Sequence, residues 1–318
     1  MSRVVVIGAT GHIGGYLVPR LVRAGHDVVA VSRGAAQPYR TDPAWQQVER
    51  LRLDRAELDA ADRFGPEIAA LDADVVVDLI CFTLPSARQL VEAVAGEIDL
   101  LVHVGTVWTH GHSVAVPTTE EAVKRPFGAY GIQKAEVEAY LLRRARRHAL
   151  PATVVHPGHI VGEGWVPLNP AGHFNPQVYT TIARGEPLTL PELGLQTVHH
   201  VHADDVAALI MTTIERRGQS VGESFHAVSE QALTLRGYAE ELYRWFGHEP
   251  RLDFVPYAEW AATQEPDDAA ATWDHIAHSP SCSMAKARRL LDFRPRFSSL
   301  EAVQESVTWL IDNGRVKV

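Results

Sequence analysis

The stretch Gly8-Ala9-Thr10-Gly11-His12-Ile13-Gly14-Gly15 leaves this chain little choice of fold, because it joins the apolar run Val4-Val5-Val6-Ile7 to a helical pattern with no linker. A β-branched run of that kind suits a strand buried on both faces of a parallel sheet. Each glycine after it has a steric reading. Gly8 permits a sharp exit from the strand, Gly11 lets the backbone approach a diphosphate, and Gly14 lets the helix pack closely on the sheet. Thr10, His12 and Ile13 complete the turn, and the helix starting there offers free N–H groups and a partial positive charge to phosphates. A glycine triplet alone would be an ordinary turn; between a strand and a helix it predicts dinucleotide binding.

The same alternation continues through the first half. Tyr16, Leu17, Leu21 and Val22 keep helical spacing, Gly25 reads as a C-terminal cap, and Pro19 threatens to bend the helix between them. A second strand, Val28 to Val31, ends in Ser32-Arg33-Gly34. An acidic residue there would bond the ribose hydroxyls of NAD, whereas Ser32 and Arg33 suit the extra phosphate of NADP; NADP is therefore expected, with NAD the alternative. A third strand, Val48 to Leu53, ends at Asp54, and Leu58 to Leu71 supplies a crossover helix. Asp74 to Ile80 makes a fourth strand. A helix opened by Pro85 and ended by Gly96 leads to a fifth, Leu100 to Val104. This order predicts an α/β chain with a Rossmann-type doubly wound parallel sheet and ligands at the carboxyl ends of its strands.

Composition narrows the function classes. A chain of 318 residues, 46% hydrophobic, can form one large or two modest domains, and a net charge of −9 argues against general affinity for nucleic acid or anionic membrane. The dense basic run, Arg143-Arg144 and Arg146-Arg147, falls in the last turns of a predicted helix, where it complements the helix dipole. Cys81 and Cys282 are the only cysteines, which speaks against a disulfide framework or a cysteine zinc site. No apolar run approaches ~18 residues, and the N-terminus enters a strand at once, so a cytoplasmic protein with no signal peptide or membrane span is expected. His199, His200 and His202 cluster, as do His110 and His112. No carboxylate or cysteine completes either group at ligand spacing, and no metal is expected.

The chemistry-bearing pair is Tyr130 and Lys134, four apart at the start of a helical run and so on one face. A phenol with a pKa near ~10 is a poor base at neutral pH, but a nearby ammonium and an oxidised nicotinamide both favour the phenolate. Such a pair can move a proton while a cofactor moves a hydride.

With these residues the chain resembles the short-chain dehydrogenase/reductase superfamily, in particular its extended and atypical members grouped as NAD-dependent epimerase/dehydratase proteins. The resemblance spans nearly the whole chain through the glycine turn, Tyr130 with Lys134, His156-Pro157-Gly158-His159-Ile160-Val161-Gly162, and His202-Ala203-Asp204-Asp205-Val206-Ala207. It implies that Tyr130 is the acid/base and that Lys134 binds the nicotinamide ribose and lowers the tyrosine pKa. It implies also that backbone near Pro157, His159 and Ile160 holds the nicotinamide end, that Asp54 lies near the adenine, and that two copies pair through the Tyr130 helix as a homodimer. Residues 1–160 would form the NAD(P)-binding domain, with 196–228 returning to it. Residues 161–318 would be mainly a smaller C-terminal α/β substrate domain.

Two departures from the family matter. Its usual Ser or Thr at the end of the fifth strand falls on Val104; Thr106, two residues along on the same strand face, is the candidate replacement, with His103, Thr109 and His110 as alternatives. The arginine that commonly precedes the His-Ala-Asp-Asp segment and meets a nucleotide diphosphate is absent from Thr197-Val198-His199-His200, unless Arg184 or Arg251 substitutes. A smaller or less charged substrate than a nucleotide sugar is therefore expected, contacted by Trp108, Trp165 and His173. Packing is the competing role for Trp165 and Phe174. Thr197 to Val201 reads as a strand, and Asp204 or Asp205 as the cap of the helix after it. The leading expectation is an NAD(P)-dependent oxidoreductase or epimerase moving a hydride to or from a hydroxyl- or carbonyl-bearing carbon of a small molecule. An NADP-binding sensor or scaffold without turnover and a nucleotide-sugar epimerase/dehydratase are the alternatives.

Overall fold

In a computed structural model that describes residues 1–318, β1 (Arg3–Ile7) lies inside a seven-stranded sheet. On one side of it come β2 (Asp27–Ser32) and β3 (Glu49–Arg52). On the other come β4 (Val75–Asp78), β5 (Leu100–Val104) and β6 (Ala152–Pro157), every pairing being parallel. The strand order reverses between β1 and β4, which opens the crevice where ligands bind in sheets of this kind.

Helices α1 (His12–Arg23), α2 (Arg55–Ala60), α3 (Phe64–Ala69), α4 (Leu84–Val94) and α5 (Gly128–Arg146) cross between these strands. Strand residues alternate between two cores: Val4, Val6, Val28 and Val77 face α1, while Val5, Ile7, Val29 and Val76 face α3, α4 and α5. Two expectations change here. α1 runs unbroken through Pro19. The single crossover helix over 58–71 is two short helices, because Asp54 caps α2 by accepting from the Ala56 and Glu57 amides and Asp62 then turns left-handed (φ 52°).

The second half adds β7 (His159–Val161), α6 (Gln177–Ala183), β8 (Leu188–Pro191), β9 (Thr197–Val198), β10 (His200–His202), α7 (Ala203–Glu215), α8 (Arg217–Ser220) and β11 (Ser224–Ala227). Strand β11 joins the central sheet beside β6, and α7 packs on α1. There follow β12 (Leu233–Thr234), α9 (Leu235–Trp245), β13 (Leu252–Val255), α10 (Tyr257–Ala261), α11 (Pro266–His278), α12 (Ala285–Leu291) and α13 (Ser299–Asp312). A third core, with Tyr179, Tyr238, Tyr243, Trp260 and Leu310, holds α6, α9, α10 and α13 together. No helix is long and apolar enough to cross a membrane.

The expected strand over 197–201 is split, because β9 pairs antiparallel with β12 whereas β10 pairs parallel with β7. Nor do Asp204 and Asp205 cap α7. His202 does, its Nδ1 accepting the Asp204 amide at 3.0 Å. Asp204 instead takes Arg20 at 2.6 and 2.7 Å and Arg296 at 2.9 Å, and Asp205 accepts the Arg296 and Phe297 amides, so the two carboxylates tie the segment before α13 to α1 and α7.

Candidate active site

At Gly8 the backbone enters the left-handed region (φ 85°), and its N–H donates to the Val31 carbonyl at 2.9 Å. A Cβ on Gly14 would lie 2.2 Å from the Ala9 carbonyl oxygen, so no larger residue lets α1 start this close to the end of β1. The first bond of α1 runs from the Gly15 amide to the Gly11 carbonyl at 2.9 Å, and no side chain caps the helix. The amides of His12, Ile13 and Gly14 are thus left as donors for an anion.

From this turn a cleft of about 680 Å³ runs past Thr10 and Gly11 to Ser32, Arg33 and Asp54. Arg33 is exposed at its rim. Arg52, which sequence reading passed over, is brought beside it because the β2–β3 register pairs Ser32 with Arg52, whose side chain runs alongside Gly34. Arg55 closes the cleft floor, its guanidinium on Asp78 at 2.7 and 2.9 Å and on the Ser86 hydroxyl at 2.8 Å. Unpartnered amides at the turn, a cleft of this length, and the Ser32 hydroxyl with the Arg33 guanidinium at its far end fit a dinucleotide.

Trp165 stacks on the buried His12 ring (4.9 Å, 18° between planes), and Arg40 reaches Glu163 at 2.8 Å beside it. Trp165 therefore covers the first turn of α1. Burial, with His202 adding to it, lowers the His12 pKa to about 3, and neither ring nitrogen has a partner.

At the other end of the crevice stands Tyr130, 43% exposed, with its ring 6.0 Å from Trp108 and 6.4 Å from Phe82. Crowding by these neighbours raises the phenol above its ordinary pKa, and the Thr106 hydroxyl nearby works the other way. Thr106 opens the turn at Val107–His110, and its hydroxyl also accepts the Trp108 amide at 3.3 Å. Lys134 is 2% exposed. Its ammonium donates to the Val104 carbonyl at 2.8 Å and lies 4.8 Å over Phe82 and 6.0 Å from the Tyr130 ring. Burial lowers its pKa to about 8, opposed by Cys81 and Asp78. Val104, at the family's hydroxyl position, thus contributes its carbonyl rather than its side chain.

Two of the alternatives to Thr106 are engaged elsewhere, and the third, His103, is buried. Thr109 donates to the Thr106 carbonyl at 3.1 Å, and His110 meets His226, Nε2 to Nε2, at 2.8 Å. His103 is buried with Asp78 and Cys81, their ligating atoms within 4.8 Å of one another. Arg55 and Lys134 already bring two positive charges to that cluster, which opposes a metal ion there.

Toward the second half, Trp108 stacks on His278 (4.0 Å, 17°) and lies 5.2 Å from His275, which Phe174 meets at 5.4 Å. Burial lowers the pKa of His275 to about 4 and that of His278 below its usual value, so both rings are neutral near pH 7. Sequence reading missed both, since α11 comes far along the chain. His159 lies beside His275 at 5.1 Å, and its Nε2 is unpartnered. His173 is 2% exposed and bonds Asn169 at 3.2 Å within the third core's loop. Where the family carries its diphosphate-binding arginine, His199 is held by the Ser229 carbonyl and the Cys282 amide, and His200 by the Leu168 carbonyl. Arg251 bonds the Gly185 carbonyl at 3.3 Å, and Arg184 ends α6.

The model of the family described as "NAD dependent epimerase/dehydratase family" matches residues 4–226. The chain is 29% identical to the 2′-dehydrokanamycin reductase of Streptomyces kanamyceticus, with 99% of this chain and 86% of the relative covered. It is 25% identical to the dTDP-6-deoxy-L-talose 4-dehydrogenase (NAD(P)(+)) of Kitasatospora kifunensis, over 96% of this chain and 94% of the relative. Among solved structures, the epimerase Mth375 of Methanothermobacter thermautotrophicus superimposes with a TM-score of 0.76 at 19% identity, covering 98% and 93% of the two chains.

Proposed function

The chain belongs to the NAD-dependent epimerase/dehydratase family, and from that premise we propose that it is an NADP-dependent reductase of a carbonyl on a carbohydrate that carries no nucleotide. The observation that carries this reading is the meeting of Tyr130, Thr106 and Lys134 beside neutral rings. Phe82 and Trp108 flank the phenol, His275 and His278 pack on Trp108, and the ammonium of the buried Lys134 lies 6.0 Å from the phenol ring. A bound reduced nicotinamide would supply the hydride. Tyr130 gives its phenolic proton to the carbonyl oxygen as that oxygen gains charge, and the Thr106 hydroxyl donates a second hydrogen bond to it. Lys134, anchored on the Val104 carbonyl, stabilises the phenolate that remains. Neutral imidazoles and an indole suit the hydroxyls and ring faces of a sugar, and where the family carries its diphosphate-binding arginine this chain has His199 and His200, both bonded to backbone. Ser32, Arg33 and Arg52 favour NADP through its extra phosphate.

The relative named 2′-dehydrokanamycin reductase supplies the first substrate to try. With NADPH and 2′-dehydrokanamycin the absorbance at 340 nm should fall as the alcohol forms, more slowly with NADH. Conversion of UDP-glucose to its 4-epimer, with no net change in cofactor, would instead identify a nucleotide-sugar epimerase.

A further inference from the structure

Glu138 lies one turn beyond Lys134, so Tyr130, Lys134 and Glu138 succeed one another at four-residue intervals along one face of α5. The Glu138 side chain is buried and forms an ion pair with Lys124. Its Oε1 also lies 3.0 Å from Nε2 of His156, a ring on β6 with no solvent exposure. The other ring nitrogen, Nδ1, accepts the backbone N–H of Thr106 at 3.0 Å. This ring fills the space over Gly105: a Cβ there would lie 2.4 Å from Nδ1. Because the Thr106 amide donates, Nδ1 carries the lone pair, which puts the ring's proton on Nε2, the nitrogen beside the carboxylate, although the N–H is not aligned on that oxygen. Burial alone would raise the Glu138 carboxyl, but His156 and Lys124 outweigh it and hold the group well below the usual carboxylate range, so it stays an anion.

We propose that Glu138 and His156 are positioning residues for the reaction: the carboxylate, the imidazole and the Thr106 amide form a chain that fixes the end of β5 and aims the Thr106 hydroxyl at the Tyr130 phenol and the substrate oxygen. The inference rests on the roles given above to Thr106 and Tyr130. The turn after β5 has no ladder bond at Thr106, so without His156 its amide would be a buried donor with no partner, and the Gly105–Thr106 peptide would lose that anchor.

The phenol itself reports on this, with no substrate needed. In protein labelled with ¹³Cζ-tyrosine, the Tyr130 resonance is identified by its loss in Tyr130→Phe and followed against pH. Thr106→Val removes a hydroxyl that favours the phenolate and should move the midpoint up by roughly 0.5–1 pH unit. His156→Leu should move it by the same amount. His156→Asn, whose side-chain oxygen can replace Nδ1 as acceptor, should restore it, and Thr106→Val combined with His156→Leu should move it no further than either alone. Should His156→Leu fail to fold, Glu138→Leu against Glu138→Gln makes the same comparison, with the midpoint raised in the first and near wild type in the second. A midpoint that moves in Thr106→Val but stays at the wild-type value in His156→Leu or Glu138→Leu, or shifts that add in the double variant, overturns the positioning role alone. A midpoint unmoved by Thr106→Val overturns the Thr106 assignment as well and leaves Tyr130 and Lys134 standing.

Discussion

Tyr130 and Lys134 sit four residues apart but in different surroundings, and that difference divides their work. The half-exposed phenol can meet a substrate, while the ammonium is sealed beneath it with the Val104 carbonyl as its one hydrogen-bond partner. At the far end of the cleft Arg33 stands at the rim, and strand register brings Arg52 next to Ser32 and Gly34 just outside it. Replacing either arginine with Asp should weaken NADPH binding roughly tenfold or more, the worth of a charge-assisted hydrogen bond, and leave NADH within a few-fold. Fluorescence titration with both cofactors checks this, and an unaltered preference in the two variants would place the phosphate elsewhere. Tyr130, Lys134, Ser32 and Arg33 were legible in the sequence because each belongs to a local pattern. Arg52, Glu138, His156 and His275 were not, because what matters about them is a partner on a different strand or helix.

Among the elements, the junction of β1 with α1 tolerates least change. Gly14→Ala would drive a methyl group into the Ala9 carbonyl, so either α1 moves away from the sheet or the turn reshapes. Destabilisation of about 1–3 kcal/mol is expected, together with weaker NADPH binding, since the same amides would no longer converge. Chemical denaturation and cofactor titration of that variant measure both, and a variant with wild-type values in each would contradict the packing described here. This junction was readable from a few consecutive residues, as was the strand–helix alternation of the first half. The break after α2 was not, because it depends on a left-handed Asp62 that no glycine announces. The split of 197–201 was not readable either, since two adjacent segments pair with partners as far apart in sequence as β7 and β12.

Over the whole molecule, the burial of imidazole makes stability depend on pH. Of 16 histidines, His12 is lowered to about 3 and His110, His199, His200 and His275 to about 4, mainly by burial. Below pH 6.5 the unfolded chain binds protons on these rings that the folded chain refuses until near pH 4. Unfolding then takes up protons, so these groups contribute their full stability above pH 6.5 and lose it as the pH falls toward 4. Glu120 and Asp205, raised by burial, oppose this and are outnumbered. The melting temperature should therefore fall steeply between pH 6.5 and 4, and a flat profile across that window would contradict the neutral, buried state of these rings.

The proposed reaction turns on one phenol, that of Tyr130. NADPH oxidation at 340 nm by Tyr130→Phe, beside NADPH affinity measured on the same sample, tests that most directly. Affinity should stay within a few-fold of wild type while turnover falls by roughly 10²–10⁴, the usual contribution of a positioned acid; wild-type turnover in that variant would contradict the role given to Tyr130.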